Sequence, residues 1–283
     1  MKKLFLTIAL ILLCCVLLTG FSYPRTATAP LIRLNDVYVM YTYPKAPYVN
    51  EQGRLMVPLR LFSEMIGAEL SYTPSTKSAI VSRGGHRLEI REGGPTAYGD
   101  GEPIPLESSP VAVQGSLYVP LRFLMEGLHI PSRQEGSITV LEGDSFFKKG
   151  RYLYHDQLDW TGQGRTLDPL SIRPLDLSFQ VETESSPITG TTSGTAFVRA
   201  QNVSGEAIEK GRQDLHVWIY QSQIMCMNDY ESPRINSKEV RPARKKNEIF
   251  TEKISFTLQN PNDKVHVVLA VGRTLKTYEE AYR

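Results

Sequence analysis

The tetrapeptide Val57-Pro58-Leu59-Arg60 returns as Val119-Pro120-Leu121-Arg122, 62 residues further on. At the same offset Gly53 matches Gly115, Leu55 matches Leu117 and Glu64 matches Glu126. Leu61-Phe62 and Phe123-Leu124 keep apolar character at equivalent places. An offset held this long marks a duplicated structural unit. Duplication repeats structural residues first, and catalytic sites are seldom copied this way. The first half of the chain therefore reads as a scaffold.

Each copy predicts a turn, a short strand and a helix. Asn50-Glu51-Gln52-Gly53 and Val113-Gln114-Gly115-Ser116 are turn stretches whose glycine accepts positive φ. Leu55-Met56-Val57 and Leu117-Tyr118-Val119 are apolar and β-prone. Pro58 and Pro120 are expected at the first helical position, where a missing N–H costs nothing. Leu59, Phe62, Met65 and Ile66 follow at helical spacing, as do Leu121, Leu124 and Leu128. Gly67 is the expected helix stop in the first copy, and His129-Ile130-Pro131 in the second. Between the units, Ala79-Ile80-Val81 and Arg87-Leu88-Glu89-Ile90 are strand candidates joined through Gly84-Gly85. Gly99-Asp100-Gly101 marks another tight turn, and Ile138-Thr139-Val140-Leu141 closes the second unit as a strand.

The doubled phrase resembles the bacterial copper amine oxidase N-terminal domain, or stalk domain, over residues 31–143. The signature runs Gly53-Arg54-Leu55-Met56-Val57-Pro58-Leu59-Arg60 with Glu64 and Gly67, then Gly115-Ser116-Leu117-Tyr118-Val119-Pro120-Leu121-Arg122 with Glu126. The family's introductory phrase has an approximate match in Leu34-Asn35-Asp36. The second copy departs from the pattern at Ser116 and at His129, where the first has Gly67. The resemblance implies an α+β unit, an antiparallel sheet packed with short helices. It does not bring the oxidase with it. In that family chemistry belongs to a separate domain with a His-x-His copper pair, a third His and a Tyr-derived cofactor. His86, His129, His155, His216 and His266 contain no His-x-His pair, and Asn228-Asp229-Tyr230-Glu231 has an extra Asp inside the cofactor phrase. A copper site needs imidazoles converging on one ion, and their spacing gives no sign of this. Neither metal nor cofactor nor catalytic residue is expected.

Arg60 with Glu64 and Arg122 with Glu126 stand four apart on one helical face, a spacing worth roughly 0.2–0.5 kcal/mol. They read as structural pairs holding the helix start against the sheet, in preference to ligand-gripping arginines.

Met1-Lys2-Lys3 precedes an almost wholly apolar run from Leu4 to Phe21. Residues 1–29 thus read as an export signal or a retained membrane anchor. Gly20 and Ser22 would permit cleavage before Tyr23. Cys14 and Cys15 lack the small residue that lipidation requires before the cysteine. Only Cys226 would remain in a processed chain, which leaves no internal disulfide. With Met225 and Met227 beside it, it reads as packing.

Charge excludes one class of partner. The 32 basic and 30 acidic side chains nearly cancel, and completely so without Lys2 and Lys3, which leaves no field to attract nucleic acid. The one basic cluster, Arg241-Pro242-Ala243-Arg244-Lys245-Lys246, reads as a solvated loop between strands rather than a contact for anionic polymer.

Residues 144–174 carry Gly162, Gly164, Pro169 and Pro174 and read as a linker, across which few contacts should pass. Residues 175–283 alternate instead. Leu177, Phe179 and Val181 point one way, and Ile254-Phe256-Leu258 and Val265-Val267-Leu269-Val271 repeat the pattern. The expectation is an all-β domain of sandwich type. Trp218 and Tyr220 share one strand face and Val217 and Ile219 the other, as suits a strand covered on both sides. Asp214 and His216 are expected to face solvent, and His155, Asp156 and Asp159 are isolated loop residues. These readings predict an exported, non-enzymatic bacterial envelope protein, a stalk-like scaffold presenting a β-sandwich for adhesion or envelope binding. The alternative is a membrane-anchored accessory or regulatory subunit of an extracytoplasmic enzyme or sensing system. The expected partner is a cell-wall polymer or another envelope protein, with membrane contact only through the N-terminal segment.

Overall fold

The protein is described from a computed structural model covering residues 29–148, 152, 166–181, 190–221, 227–228, 241–259 and 264–276. Expectations for the leader, Cys14 and Cys15, His155, Asp156, Asp159, Cys226 and the Asp229-Tyr230-Glu231 phrase lie outside the described residues. The described chain is mostly β with two short helices, Leu59–Met65 and Leu121–Gly127. No helix among the described residues is long and apolar enough to cross a membrane.

The repeat builds its own sheet. Strands Leu55–Pro58 and Ser116–Pro120 lie side by side, antiparallel, with Tyr48–Val49 outside the first and Val111–Val113 outside the second. Val57 is opposite Val119, with Pro58 opposite Tyr118 and Met56 opposite Pro120. Each strand runs through its proline, so Pro58 and Pro120 take extended ψ angles of 115° and 126°. They cap the helices rather than start them, a one-residue correction to the sequence reading. Sheet pairing decides it, because the ladder continues one residue past the expected boundary.

Each helix folds its apolar stripe inward. Leu59, Leu61, Phe62 and Met65 are buried on the first, and Leu121, Phe123 and Leu124 on the second. A meander of five antiparallel strands follows the first helix: Glu69–Thr73, Ser78–Arg83, His86–Arg91, Thr96–Gly99 and Glu102–Pro105. The expected turns at Gly84-Gly85 and at Asp100-Gly101 are its two-residue hairpins, with positive φ at all four residues. Ala79, Val81, Leu88, Ile90 and Ala97 join the helices in one apolar cluster.

The third sheet crosses the expected join. Its strand order is Ser132–Glu135, Ile138–Leu141, Ile32–Leu34, Val37–Thr42, Val267–Leu275 and Thr166–Asp168, and Gln213–Tyr220 also pairs with Val267–Leu275. Ile32–Leu34 and Ile138–Leu141 run parallel; its other pairs are antiparallel. Tyr38 sits opposite Ala270 and Val39 opposite Leu269. The expectation that few contacts cross the join at 144–174 is therefore corrected. Alternation along a strand reveals its two faces but not its neighbours.

Both faces of this sheet are buried. Val39, Trp218, Tyr220, Val267 and Leu269 belong to the cluster of the repeat helices. Tyr38, Met40, Val217, Ile219 and Val268 belong to a second cluster with Leu177, Val198, Ile254 and Phe256. The latter come from a fourth antiparallel sheet, ordered Ile172–Val181, Thr192–Asn202, Ile249–Leu258 and Met227–Asn228. The described C-terminal region is all-β, as expected, and Trp218 and Val217 do cover opposite faces. Gly272 is needed where two of these strands cross, since a Cβ there would lie 2.1 Å from the Ile172 carbonyl oxygen.

Candidate functional site

Two features on the surface of the repeat domain offer chemistry. The larger is an open groove of about 720 Å³ lined by Lys45, Tyr48, Asn50, Gln52, Ser108 and neighbouring residues. The edge strand Tyr48–Val49 places Tyr48 at its side, and Lys45 holds its ammonium 3.4 Å from the Tyr48 ring centroid. The Asn50 amide donates to Ser108 Oγ at 2.7 Å and ties the two walls together. Tyr118 fixes the backbone at Lys45, accepting from its N–H at 3.1 Å and donating to its carbonyl at 2.5 Å. Burial pushes the Tyr118 phenol up to about 12, against the hydrogen bond from the Lys45 amide that lowers it, so the hydroxyl keeps its proton. The lining thus combines an aromatic ring, amides, hydroxyls, the Lys45 ammonium and the carboxylates of Glu51 and Glu107.

The second feature joins His86, Asp100 and His129. Each offers one ligand atom, and these atoms lie within 4.8 Å of one another. His86 opens the strand after the Gly84-Gly85 hairpin, and Asp100 occupies the tip of the next but one turn. His86 Nδ1 and Asp100 Oδ2 are 2.9 Å apart, and Asp100 Oδ1 accepts from the Arg87 N–H at 2.7 Å. The His86 bond, then the Arg87 amide, hold the Asp100 carboxyl below the usual carboxylate range. The His86 and His129 rings stand 4.1 Å apart between centroids. The spacing of the histidines in the sequence gives no sign of this approach. These histidines are far apart in sequence, and turn geometry brings them together.

His129 owes its place to the repeat. The first helix ends with Ala68 N–H bonded to Ser63 C=O and Gly67 N–H to Glu64 C=O. The second ends with Ile130 N–H bonded to Met125 C=O and His129 N–H to Glu126 C=O. Both are Schellman ends, which place one residue in the left-handed region and favour glycine there. Gly67 has φ 74° and His129 φ 49°. The imidazole is held where an L-residue costs about 1–2 kcal/mol. Its neighbours also form a small groove of about 180 Å³ with Asp100, Ile104, Phe123 and Glu126.

Other residues singled out from the sequence lie elsewhere. Arg122 and Glu126 do pair, at 2.7 Å, but on the exposed side of the helix, so they do not hold it against the sheet. Arg60 is exposed and Glu64 lies in a separate shallow groove with it. His216 lies tilted against Trp218 with ring centroids 4.3 Å apart, and His266 stacks on Tyr43 at 5.1 Å. Asp214 does not face solvent. It is buried between Arg273 at 2.7 Å and Arg241 at 3.3 Å, because its strand face continues as Trp218 and Tyr220 into the core. The basic stretch 241–246 is correspondingly not a wholly solvated loop. Arg241 is buried at this carboxylate, and Arg244 pairs with Glu252 at 2.6 Å.

No curated protein matches the chain. Residues 33–139 match the family model of the copper amine oxidase N-terminal domain, over both copies of the Val-Pro-Leu-Arg phrase and the meander between them. The chain thus contains a copper amine oxidase N-terminal domain, covering a little over a third of its length.

Proposed function

We propose that this is an exported, non-catalytic protein of the bacterial cell envelope, whose stalk-like domain binds a cell-wall polymer in the groove beside Tyr48. The groove carries the reading. It is open to solvent, and its wall combines an aromatic ring with amides, hydroxyls and the Lys45 ammonium. Glu51 and Glu107 share the lining with Lys45, so the mixture suits a hydroxyl-rich glycan held by hydrogen bonds rather than by net charge. The domain itself is of a kind often found in bacterial envelope proteins, and the basic, then apolar, N-terminal sequence supports export. The all-β C-terminal region is read as a sandwich built on the shared sheet, and the common apolar cluster supports this.

Co-sedimentation of the purified protein with isolated bacterial cell walls tests the reading. Tyr48→Ala and Lys45→Gln should both weaken binding, whereas Arg122→Ala should not. A native protein that stays in the supernatant overturns it. Protease added to wall-stripped cells tests export, and N-terminal sequencing separates a cleaved signal from a retained anchor. Incubation with copper, air and simple amines should yield no peroxide.

A further inference from the structure

The geometry points to a second site, independent of the polymer groove: His86, Asp100 and His129 together bind one divalent transition-metal ion of the zinc class. Two imidazoles and a carboxylate form a donor set for such an ion, which prefers nitrogen and hard oxygen in this combination. A four-coordinate ion with bonds of about 2.0–2.2 Å sets its donors roughly 3.3–3.6 Å apart, so His86 Nδ1 and Asp100 Oδ2, 2.9 Å apart, must open slightly and give up the proton between them, and the three side chains must adjust around the ion. They are free to do so. His86 is half-exposed, and Asp100 and His129 are exposed at a turn tip and a helix end. The small adjoining groove, about 180 Å³, leaves room for water to complete the coordination.

Three observations favour a ligand over a simple surface staple. The side chains come from three separate points, two hairpins and a helix terminus, yet their donor atoms converge. The Asp100 carboxylate is already oriented by the Arg87 amide through one oxygen, which leaves the other directed at His86. Finally, His129 replaces glycine at the left-handed end of the second helix, although the first copy keeps Gly67. In the first copy the place beyond that end is filled, because a Cβ on Gly67 would meet the Ser145 carbonyl oxygen at 2.5 Å. In the second copy the imidazole projects instead to His86.

Metal titration of the full chain, stripped with chelator, decides the matter. Zinc should bind at one ion per chain by calorimetry, and cobalt(II) should give visible d–d bands that zinc abolishes. Zinc should also raise the Tm, as any ligand of the folded state does. Asp100→Asn and His129→Asn keep a residue that accepts the left-handed region. Together with His86→Gln they should each weaken zinc binding at least tenfold, with the metal-free Tm within a few degrees of the native protein. Absence of a stoichiometric ion in the native chain overturns the proposal. Zinc binding that all three variants retain also overturns it, since the ion would then sit elsewhere.

Discussion

Val57 and Val119, equivalent residues of the two repeat copies, lie directly opposite one another in an antiparallel ladder. Because each is its own partner's counterpart, a local two-fold axis passes between them. The flanking pairs, Pro58 with Tyr118 and Met56 with Pro120, step outward symmetrically. The duplicated phrase is thus a self-complementary seam, with a helix leaving it at each end. Within the phrase Val57, Pro58 and Leu59, like Val119, Pro120 and Leu121, are buried in the seam or the core, while Arg60 and Arg122 face outward.

Symmetry of the seam predicts matched sensitivity. Leu59 and Leu121 are both buried at the start of their helices. Leu59→Ala and Leu121→Ala should each cost roughly 2–5 kcal/mol in chemical denaturation. Arg122→Ala, on the exposed side of the same helix, should leave the denaturation midpoint in place. A large loss from one leucine and none from the other would show that the copies do not share a core.

Much of this unit was legible in the sequence, because its information is local. Helical spacing, the Gly-Gly and Asp-Gly hairpins and the Gly67 stop all act within a few residues. What was not legible depends on distant partners. Asp214 and His216 alternate on a strand like solvent-facing residues, and only the arrival of Arg241 and Arg273 makes that face an interior. Likewise His86 and His129 lack any motif spacing, and the loops that bring them together were visible only as turns. The sharing of a sheet between Val37–Thr42 and Val267–Leu275 had no signal in either strand alone.

The Asp214 cluster makes a pH prediction. Burial alone would raise this carboxyl, but the charges of Arg241 and Arg273 overcome it and hold the group below the ordinary aspartate value. A depressed folded-state value contributes stability that is fully present above about pH 4, where the unfolded chain ionises, and is lost as the pH falls through the folded value. Asp214→Asn removes the buried carboxylate that Arg241 and Arg273 both face and should cost roughly 3–5 kcal/mol at neutral pH. Denaturation curves of native and variant protein should converge as the pH falls below about 4. A deficit unchanged down to pH 2 would show that the cluster is not ionised in the folded protein.

Tyr118 should link stability to the groove. Tyr118→Phe removes both hydrogen bonds to the Lys45 backbone, while the ring still fills its place. The Lys45 carbonyl keeps the Thr42 hydroxyl as a donor, so the loss falls on the Lys45 N–H and should cost roughly 1–3 kcal/mol. The Lys45 amide should exchange with solvent faster, and cell-wall binding should fall with it. Unaltered exchange at Lys45 would mean that other contacts hold the groove wall.

The shared sheet changes what proteolysis should reveal. A cut between residues 153 and 165, where Gly162 and Gly164 stand in the sequence, would separate the chain into two fragments. Independent domains would then part. Here the Val267–Leu275 strand of the second fragment is hydrogen-bonded to Val37–Thr42 of the first, and Trp218, Tyr220 and Leu269 lie in the first fragment's apolar cluster. Burial of that many large side chains, at about 1.5–3 kcal/mol each, outweighs the loss of one covalent link. The nicked protein should therefore elute as one species in size-exclusion chromatography and separate only in denaturant. Expressed alone, residues 29–148 should expose this face, bind hydrophobic dye and aggregate. Should that piece instead fold to a soluble monomer with a cooperative melt, the repeat domain completes its core without the C-terminal strand, and the join is a true domain boundary.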